Sequence, residues 1–313
     1  MPEFLTGVIT PMFTACDKDG RLDETGIRSQ VRWLKDTEAV TSLFVRSGVG
    51  KMKTFTPEET KDMARVVIDE AGDDLHVLVG ASGDFSKGMP EEDKYIEESL
   101  ELGAFAEELG AEAAVFVTFG LELTDEIDEK MLEYFTTLND SLDLPIVIYQ
   151  PGATPPPFRI KPELLSEISS LDGVKGMKLS TNDMKTFADL SSAAAERDFT
   201  MICGAETSFL PSLVLGAGGV IGEGCNTYPQ LLRFIYDRYM DGDLASAAEA
   251  QFRVNRTLAV WEGYGSAEVG KSYLARKGVD IQVESRGPRV DVEKKLDRFE
   301  KAIDELVAPY RSI

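Results

Sequence analysis

Eight short apolar runs, separated by amphipathic stretches and spread almost to residue 240, constrain this chain more than any other feature. They fall at residues 7–10, 42–45, 76–80, 113–117, 145–149, 174–178, 200–203 and 219–222. None alternates with a period of two, which is how parallel strands covered on both faces read. The stretches between them carry helix signals. Thr56-Pro57-Glu58-Glu59 combines an N-cap, a proline at the first helical position and a capping-box glutamate, and predicts a helix with Met63, Val66 and Val67 on one face that closes near Gly72. A second helix is expected after Pro90, burying Ile96, Leu100 and Leu109, and a third carries Met131, Phe135 and Leu138. Strand then helix, eight times over, predicts an α/β fold of the (β/α)8 TIM-barrel type with residues 1–240 in the barrel; an open doubly wound sheet is the competitor. Residues 241–313 predict a C-terminal helical extension packed on the barrel, with Leu244, Ala248, Phe252 and Leu258 facing in, then Val292, Leu296, Phe299 and Leu306.

Charge narrows the function classes. Thirty-three basic against 55 acidic residues give a net charge of −22 over 313 residues. That argues against nucleic acid, whose phosphates need a basic face, and against an anionic membrane surface. The acidity is spread along the chain, so it reads either as a well-solvated surface or as adaptation to a salt-rich cytoplasm. Cys16, Cys203 and Cys225 form no framework and have no metal spacing, and a reducing cytoplasm is the simplest location. No run approaches the ~18 apolar residues of a membrane span, and the N-terminus lacks the pattern of a signal peptide.

In such barrels the working groups sit at the C-terminal ends of the strands. The sixth run ends in Lys178 and the fifth in Tyr149; the second leads into Arg46-Ser47-Gly48-Val49-Gly50-Lys51, and the eighth into Gly222-Glu223-Gly224-Cys225-Asn226. A lysine at the end of a buried strand is costly, because burial disfavours an ammonium. A free amine there is a nucleophile for a ketone and gives a Schiff base, and a neighbouring phenol can move the protons that such chemistry requires. The alternative is that Lys178 snorkels to solvent and Tyr149 simply packs.

The ordered set Gly7-Val8-Ile9-Thr10-Pro11, Asp19-Gly20, the glycine-bearing loop before Thr56-Pro57-Glu58-Glu59, Leu144-Pro145-Ile146-Val147-Ile148-Tyr149, Gly176-Met177-Lys178, Gly218-Gly219-Val220-Ile221, Asn226, Pro229 and Gly242-Asp243-Leu244 resembles the dihydrodipicolinate synthase / N-acetylneuraminate lyase family of class I, Schiff-base aldolases and dehydratases. The resemblance implies that Lys178 forms an imine with a 2-oxo acid and that Tyr149 is its general acid/base. It implies further that the Ser47, Gly48, Val49 and Gly50 turn holds the substrate carboxylate through the amides around Gly48 and Val49, and that Ile221 lines the pocket through its backbone. An N–H pair in a tight glycine turn suits an anion on physical grounds as well. No metal and no cofactor are implied; a homo-oligomer, tetramer or dimer, is.

Departures from the family pattern bear on specificity. The loop usually reads Gly-Thr/Ser-Thr-Gly-Glu, whereas here both hydroxyls are gone and the acid has become Lys51. The lysine-pathway synthase carries an aromatic pair after strand 4, where this chain has Thr118-Phe119-Gly120-Leu121, and an arginine after the strand 5 tyrosine, where Thr154 stands. The expected substrate is therefore a 2-keto-3-deoxy sugar acid. The alternatives are 4-hydroxy-tetrahydrodipicolinate synthase, joining pyruvate and aspartate semialdehyde, and a non-catalytic 2-oxo-acid-binding barrel. Arg46 and Lys51 are expected near the mouth, either facing an acidic substrate or balancing local surface acidity. Glu206 is expected to cap the helix that follows it or else to face the pocket, His76 to lie at the stability face without a catalytic role, and residues 85–92 to form a lid, a subunit contact or a solvated loop.

Overall fold

The computed structural model describes residues 1–259, 266–287 and 291–310; the rest of the expected extension lies outside the described residues. Eight parallel strands pair in chain order and close into a barrel: β1 (Gly7–Pro11), β2 (Ser42–Val45), β3 (His76–Gly80), β4 (Ala113–Phe116), β5 (Ile146–Gln150), β6 (Val174–Leu179), β7 (Thr200–Cys203) and β8 (Gly219–Val220). Every apolar run is a strand, with ends displaced by a residue or two. Closure pairs Gly7 with Gly219 and Val8 with Val220. A side chain at position 219 would put its Cβ 2.5 Å from the Gly7 carbonyl oxygen, and Gly7 itself has φ +70°, so glycine at both positions is what lets the first and last strands meet.

Eight helices follow the strands in turn: α1 (Glu24–Asp36), α2 (Pro57–Ala71), α3 (Glu92–Glu108), α4 (Ile127–Ser141), α5 (Pro162–Ile168), α6 (Met184–Ala194), α7 (Phe209–Val214) and α8 (Pro229–Met240). The capping box of α2 forms as expected, Thr56 Oγ1 accepting from Glu59 N and Glu59 from Thr56 N. Among the described residues three further helices, α9 (Leu244–Ala259), α10 (Ala267–Arg276) and α11 (Glu293–Val307), come after the barrel. No helix among the described residues is long and apolar enough to cross a membrane.

Two helix faces differ from expectation, for one reason. α3 buries Tyr95, Ser99, Leu102, Gly103 and Ala106 while Ile96, Leu100 and Leu109 are only half-buried; a Cβ at Gly103 would lie 2.6 Å from Leu142, and Tyr95 Oη donates to Val117 O at 2.6 Å. α9 buries Ala247, Ala250, Gln251 and Val254, leaving Leu244 and Phe252 exposed. Gln251 Nε2 donates to Glu206 O, and its Oε1 accepts from Leu210 N, both at 2.8 Å. In both helices small side chains allow close approach and a polar side chain satisfies buried backbone groups, which outweighs the hydrophobic count of the other face. α11 turns Leu296, Phe299, Ile303 and Leu306 inward.

The three cysteines are buried and unpaired. Burial pushes the Cys16 and Cys225 thiols up and Cys203 to about 11. The folded chain therefore keeps its thiols protonated at a pH where the unfolded chain, with thiols near ~8.5, ionises them. Unfolding then releases protons, so stability falls as pH rises above that value, by about 1.4 kcal/mol per pH unit for each thiol. Between pH 9 and 10.5 the urea-unfolding gap between the wild type and Cys225→Ala should shrink at that rate, and a gap independent of pH would contradict the assignment.

Candidate active site

Parallel pairing of β5 with β6 sets Tyr149 directly beside Lys178. Both are buried, at 6 % and 3 % exposure. Lys178 Nζ lies 4.2 Å from the Tyr149 ring centroid and 5.7 Å from that of Phe44 on β2, and the two rings meet edge to face at 5.9 Å. Among the described residues no oxygen accepts a hydrogen bond from this amine and no carboxylate pairs with it. The amine is thus packed between aromatic faces at the mouth of the barrel and does not snorkel to solvent.

The loop after β2 presses on the same phenol: a Cβ at Gly48 would sit 2.7 Å from Tyr149 Oη. Its shape is set by its own hydrogen bonds. Ser47 Oγ accepts from Gly50 N at 3.1 Å, Gly48 O from Lys51 N at 3.1 Å and Ser47 O from Met52 N at 3.0 Å. Arg46 and Lys51 take positive φ, 53° and 62°, a strained conformation for residues with side chains. Ser47 is fully buried, so its hydroxyl props the turn from within. Gly48 is exposed and Val49 half-buried, and neither of their N–H groups has an acceptor among the described residues. Two free amides on an accessible turn are groups that can receive an anion.

Arg46 corrects the sequence reading. It neither faces a substrate nor balances surface acidity, because it is 1 % exposed and its guanidinium donates to the carbonyls of Ser82, Gly83, Gly80 and Phe55. Burial draws its pKa down to about 10. It bolts the loops after β2 and β3 together from inside. Glu206 is corrected as well: it reaches sideways and accepts from Gly224 N at 2.5 Å in the turn after β8, whereas α7 is preceded by Ser208. Ile221 is 1 % exposed and its N–H is held by Cys203 O at 2.8 Å. His76 lies 3.0 Å from Glu112 at the opposite end of β3.

Above the phenol opens a cavity of about 420 Å³, whose wall includes Gly48, Lys51, Lys53, Met89, Phe119, Tyr149, Thr154 and Phe158. Of the expected site residues, Gly48 and Tyr149 face it; Lys178 lies behind the Tyr149 ring, Ser47 and Gly50 are inside the turn, and Val49 and Ile221 are not in the wall. Residues 85–92 contribute through Met89, anchored by Phe85, which is buried against Phe119 at 5.2 Å. Phe44 and Lys53 escaped the sequence reading. Phe44 sits among identical-looking apolar neighbours, and Lys53 was signalled only by following Lys51 at a spacing of two.

The C-terminal helices reach this loop. Lys51 Nζ is 3.7 Å from Glu268 on α10. Lys271, fully buried and with its pKa drawn down by burial to about 8, donates to Thr14 O at 3.2 Å and to Glu284 O. Arg286 donates to Thr54 O at 2.6 Å and forms a two-pronged pair with Glu59. The extension is therefore a brace behind the loop that follows β2.

The matches to known proteins run through the same whole-chain frame. The Dihydrodipicolinate synthetase family pattern covers residues 4–306. An uncharacterized DapA-like lyase of Thermofilum pendens is 28% identical over 95% of this chain and 97% of its own length. The 4-hydroxy-tetrahydrodipicolinate synthase of Methanothermobacter thermautotrophicus is 26% identical over 82% of this chain and 87% of its own. A prophage protein of the dihydrodipicolinic acid synthase family from E. coli K12, solved in complex with pyruvate, superposes with a TM-score of 0.82 at 23% identity over 96% of this chain and 98% of its own. With a closed eight-stranded barrel, an end-to-end family match and curated relatives spanning nearly the same length, the chain belongs to the dihydrodipicolinate synthetase family, whose members are class I, Schiff-base lyases.

Proposed function

We propose that the chain is a cofactor-independent lyase acting on a 2-oxo acid through an imine on Lys178, with a 2-keto-3-deoxy sugar acid as the substrate class. The observation that carries this reading is the buried pair itself, an amine 4.2 Å from the ring of a phenol whose hydroxyl packs against Gly48, on a turn where the N–H groups of Gly48 and Val49 are unengaged. In the proposed reaction the substrate carboxylate sits on the N–H groups of Gly48 and Val49. The neutral Nζ attacks C2, the carbinolamine loses water, and the protonated imine accepts the electron pair of the bond that breaks. In cleavage Tyr149 takes the proton of the C4 hydroxyl and the resulting enamine is protonated at C3; in elimination it takes a C3 proton as hydroxide leaves C4, and hydrolysis of the imine then frees the lysine. Cleavage to pyruvate and an aldehyde and elimination of water both start from this imine. The loss of hydroxyls at Gly48 and Val49, and Thr154 at the place of an arginine, favour a sugar acid over aspartate semialdehyde as the partner. The synthase reading is supported by the names of relatives at 26% identity.

Incubation with pyruvate and borohydride, followed by peptide mass mapping, should place a reduced adduct on Lys178. Release of pyruvate from a 2-keto-3-deoxy sugar acid supports the lyase, turnover of pyruvate with aspartate semialdehyde supports the synthase, and no adduct with any 2-oxo acid supports a binding barrel. Tyr149→Phe should retain the adduct while turnover falls about 10²–10⁴-fold, the usual worth of a positioned proton donor. Unchanged turnover would remove the phenol from the mechanism.

A further inference from the structure

Among the described residues, lysines are the only charged ones in the cavity wall. In a chain with 55 acidic residues against 33 basic, no described aspartate or glutamate lines the space above Tyr149, while Lys51 and Lys53 both do. The two differ in what they are free to do. Lys51 is already paired with Glu268 at 3.7 Å. Lys53 has no carboxylate partner among the described residues. Its ammonium lies 4.3 Å from the Phe119 ring centroid and 5.8 Å from that of Phe85, so two aromatic faces hold it over the cavity. The rest of the wall is apolar or uncharged, with Met52, Pro151, Ala153, Pro155 and Phe158, and such surroundings strengthen the pull of one cation on an anion.

We infer that Lys53 forms a second anion subsite, which recognises a negatively charged group, carboxylate or phosphate, at the far end of the substrate. This rests on the 2-oxo-acid reading, in which the first carboxylate occupies the Gly48–Val49 amides. The two subsites share one loop. The 3-10 turn Met52–Thr54 that presents Lys53 follows the anion cradle directly, so the loop would grip both ends of an elongated diacid across the phenol. In a protein of net charge −22, anionic substrates are repelled at long range, and a cavity whose charged wall residues are all cationic restores a local attraction. Thr154, in the same wall, has a buried hydroxyl with no partner among the described residues. That hydroxyl is closed off from solvent, so the anion is assigned to Lys53 alone.

The test compares ligands that differ only at the far end. 2-Oxoglutarate and 2-oxoadipate are set against 2-oxopentanoate and 2-oxohexanoate, with 2-oxo-4-phosphonobutanoate as the phosphate-like arm. Half-saturation is read by borohydride trapping in the wild type, Lys53→Met and Lys53→Arg, and non-covalent affinity by calorimetry in Lys178→Ala. The wild type should favour at least one anionic ligand over its neutral counterpart by about tenfold, a typical worth of one charge-assisted contact at a partly open site. Lys53→Met should bring that ratio to about one, Lys53→Arg should keep it, and added salt should shrink it. Which arm responds tells carboxylate from phosphate. A wild-type ratio near one for every pair, or a ratio that survives Lys53→Met, overturns the subsite. Absence of any adduct, with the charge ratio intact by calorimetry and dependent on Lys53, would overturn the imine and leave the subsite standing.

Discussion

Replacing Lys178 with alanine should abolish the pyruvate adduct and lower turnover by at least about 10⁴-fold, the scale on which loss of a covalent nucleophile is felt. No other amine in the described structure is placed to substitute. Lys271 is buried, but its ammonium is spent on the carbonyls of Thr14 and Glu284. Lys51 and Lys53 face the cavity, but Lys51 is paired with Glu268 and Lys53 is held over Phe119. Alanine leaves a void between the rings of Tyr149 and Phe44, so Lys178→Met, which keeps most of the volume, should be just as inactive while losing less stability. Mass mapping is the deciding measurement. An adduct of undiminished yield in either variant, on Lys51, Lys53 or elsewhere, would remove Lys178 from the mechanism.

The pair at the centre of that experiment was legible only in part. Tyr149 and Lys178 put polar groups at the ends of runs that are mostly apolar, Lys175 apart, but that pattern alone left packing and snorkelling open, and the family resemblance supplied their roles. The barrel was legible from the near-continuous apolarity itself, because helices and core cover both faces of parallel barrel strands. What escaped the sequence depends on partners far along the chain. Arg46 reads as a surface cation because a buried guanidinium is costly, and only the fold reveals four loop carbonyls, three of them more than thirty residues away, to receive it. The faces of α3 and α9 were misplaced because the inward stripes set glycine, alanine, serine and glutamine beside only a few large side chains, Tyr95, Leu102 and Val254, and a hydrophobic count passes over the small and polar ones. Glu206 reads as a cap for the next helix, the local solution, while its acceptor role is spent on Gly224 in the turn after the neighbouring strand. Lys53 is ordinary in sequence and acquires meaning only from what else lines the cavity.

Gly48→Ala should separate the positioning of the phenol from its presence. The added Cβ would stand 2.7 Å from Tyr149 Oη and 3.6 Å from Cζ, closer than real Cβ atoms come, so the ring or the loop must shift. Gly48 is not among the glycines with positive φ, so alanine can take up its backbone conformation, and the general effect of Gly→Ala at such a position is a gain of about 0.4–1 kcal/mol through the unfolded chain. The expected phenotype is thus unusual: thermal stability little changed, turnover down about 10²-fold, as follows from displacing a reacting group by an ångström, and the Lys178 adduct still formed. Gly50→Ala is the contrast, because there the Cβ meets the backbone oxygen of Met12 at 2.7 Å and the loop itself has to move, so stability should drop together with activity. The decisive comparison is the double variant. If Gly48→Ala acts by displacing the Tyr149 hydroxyl, it has little left to displace in Tyr149→Phe, and the two losses should fall well short of multiplying. Fully multiplicative losses would mean that Gly48 serves only as part of the anion cradle, and that the packing of phenol against loop contributes nothing to the chemistry.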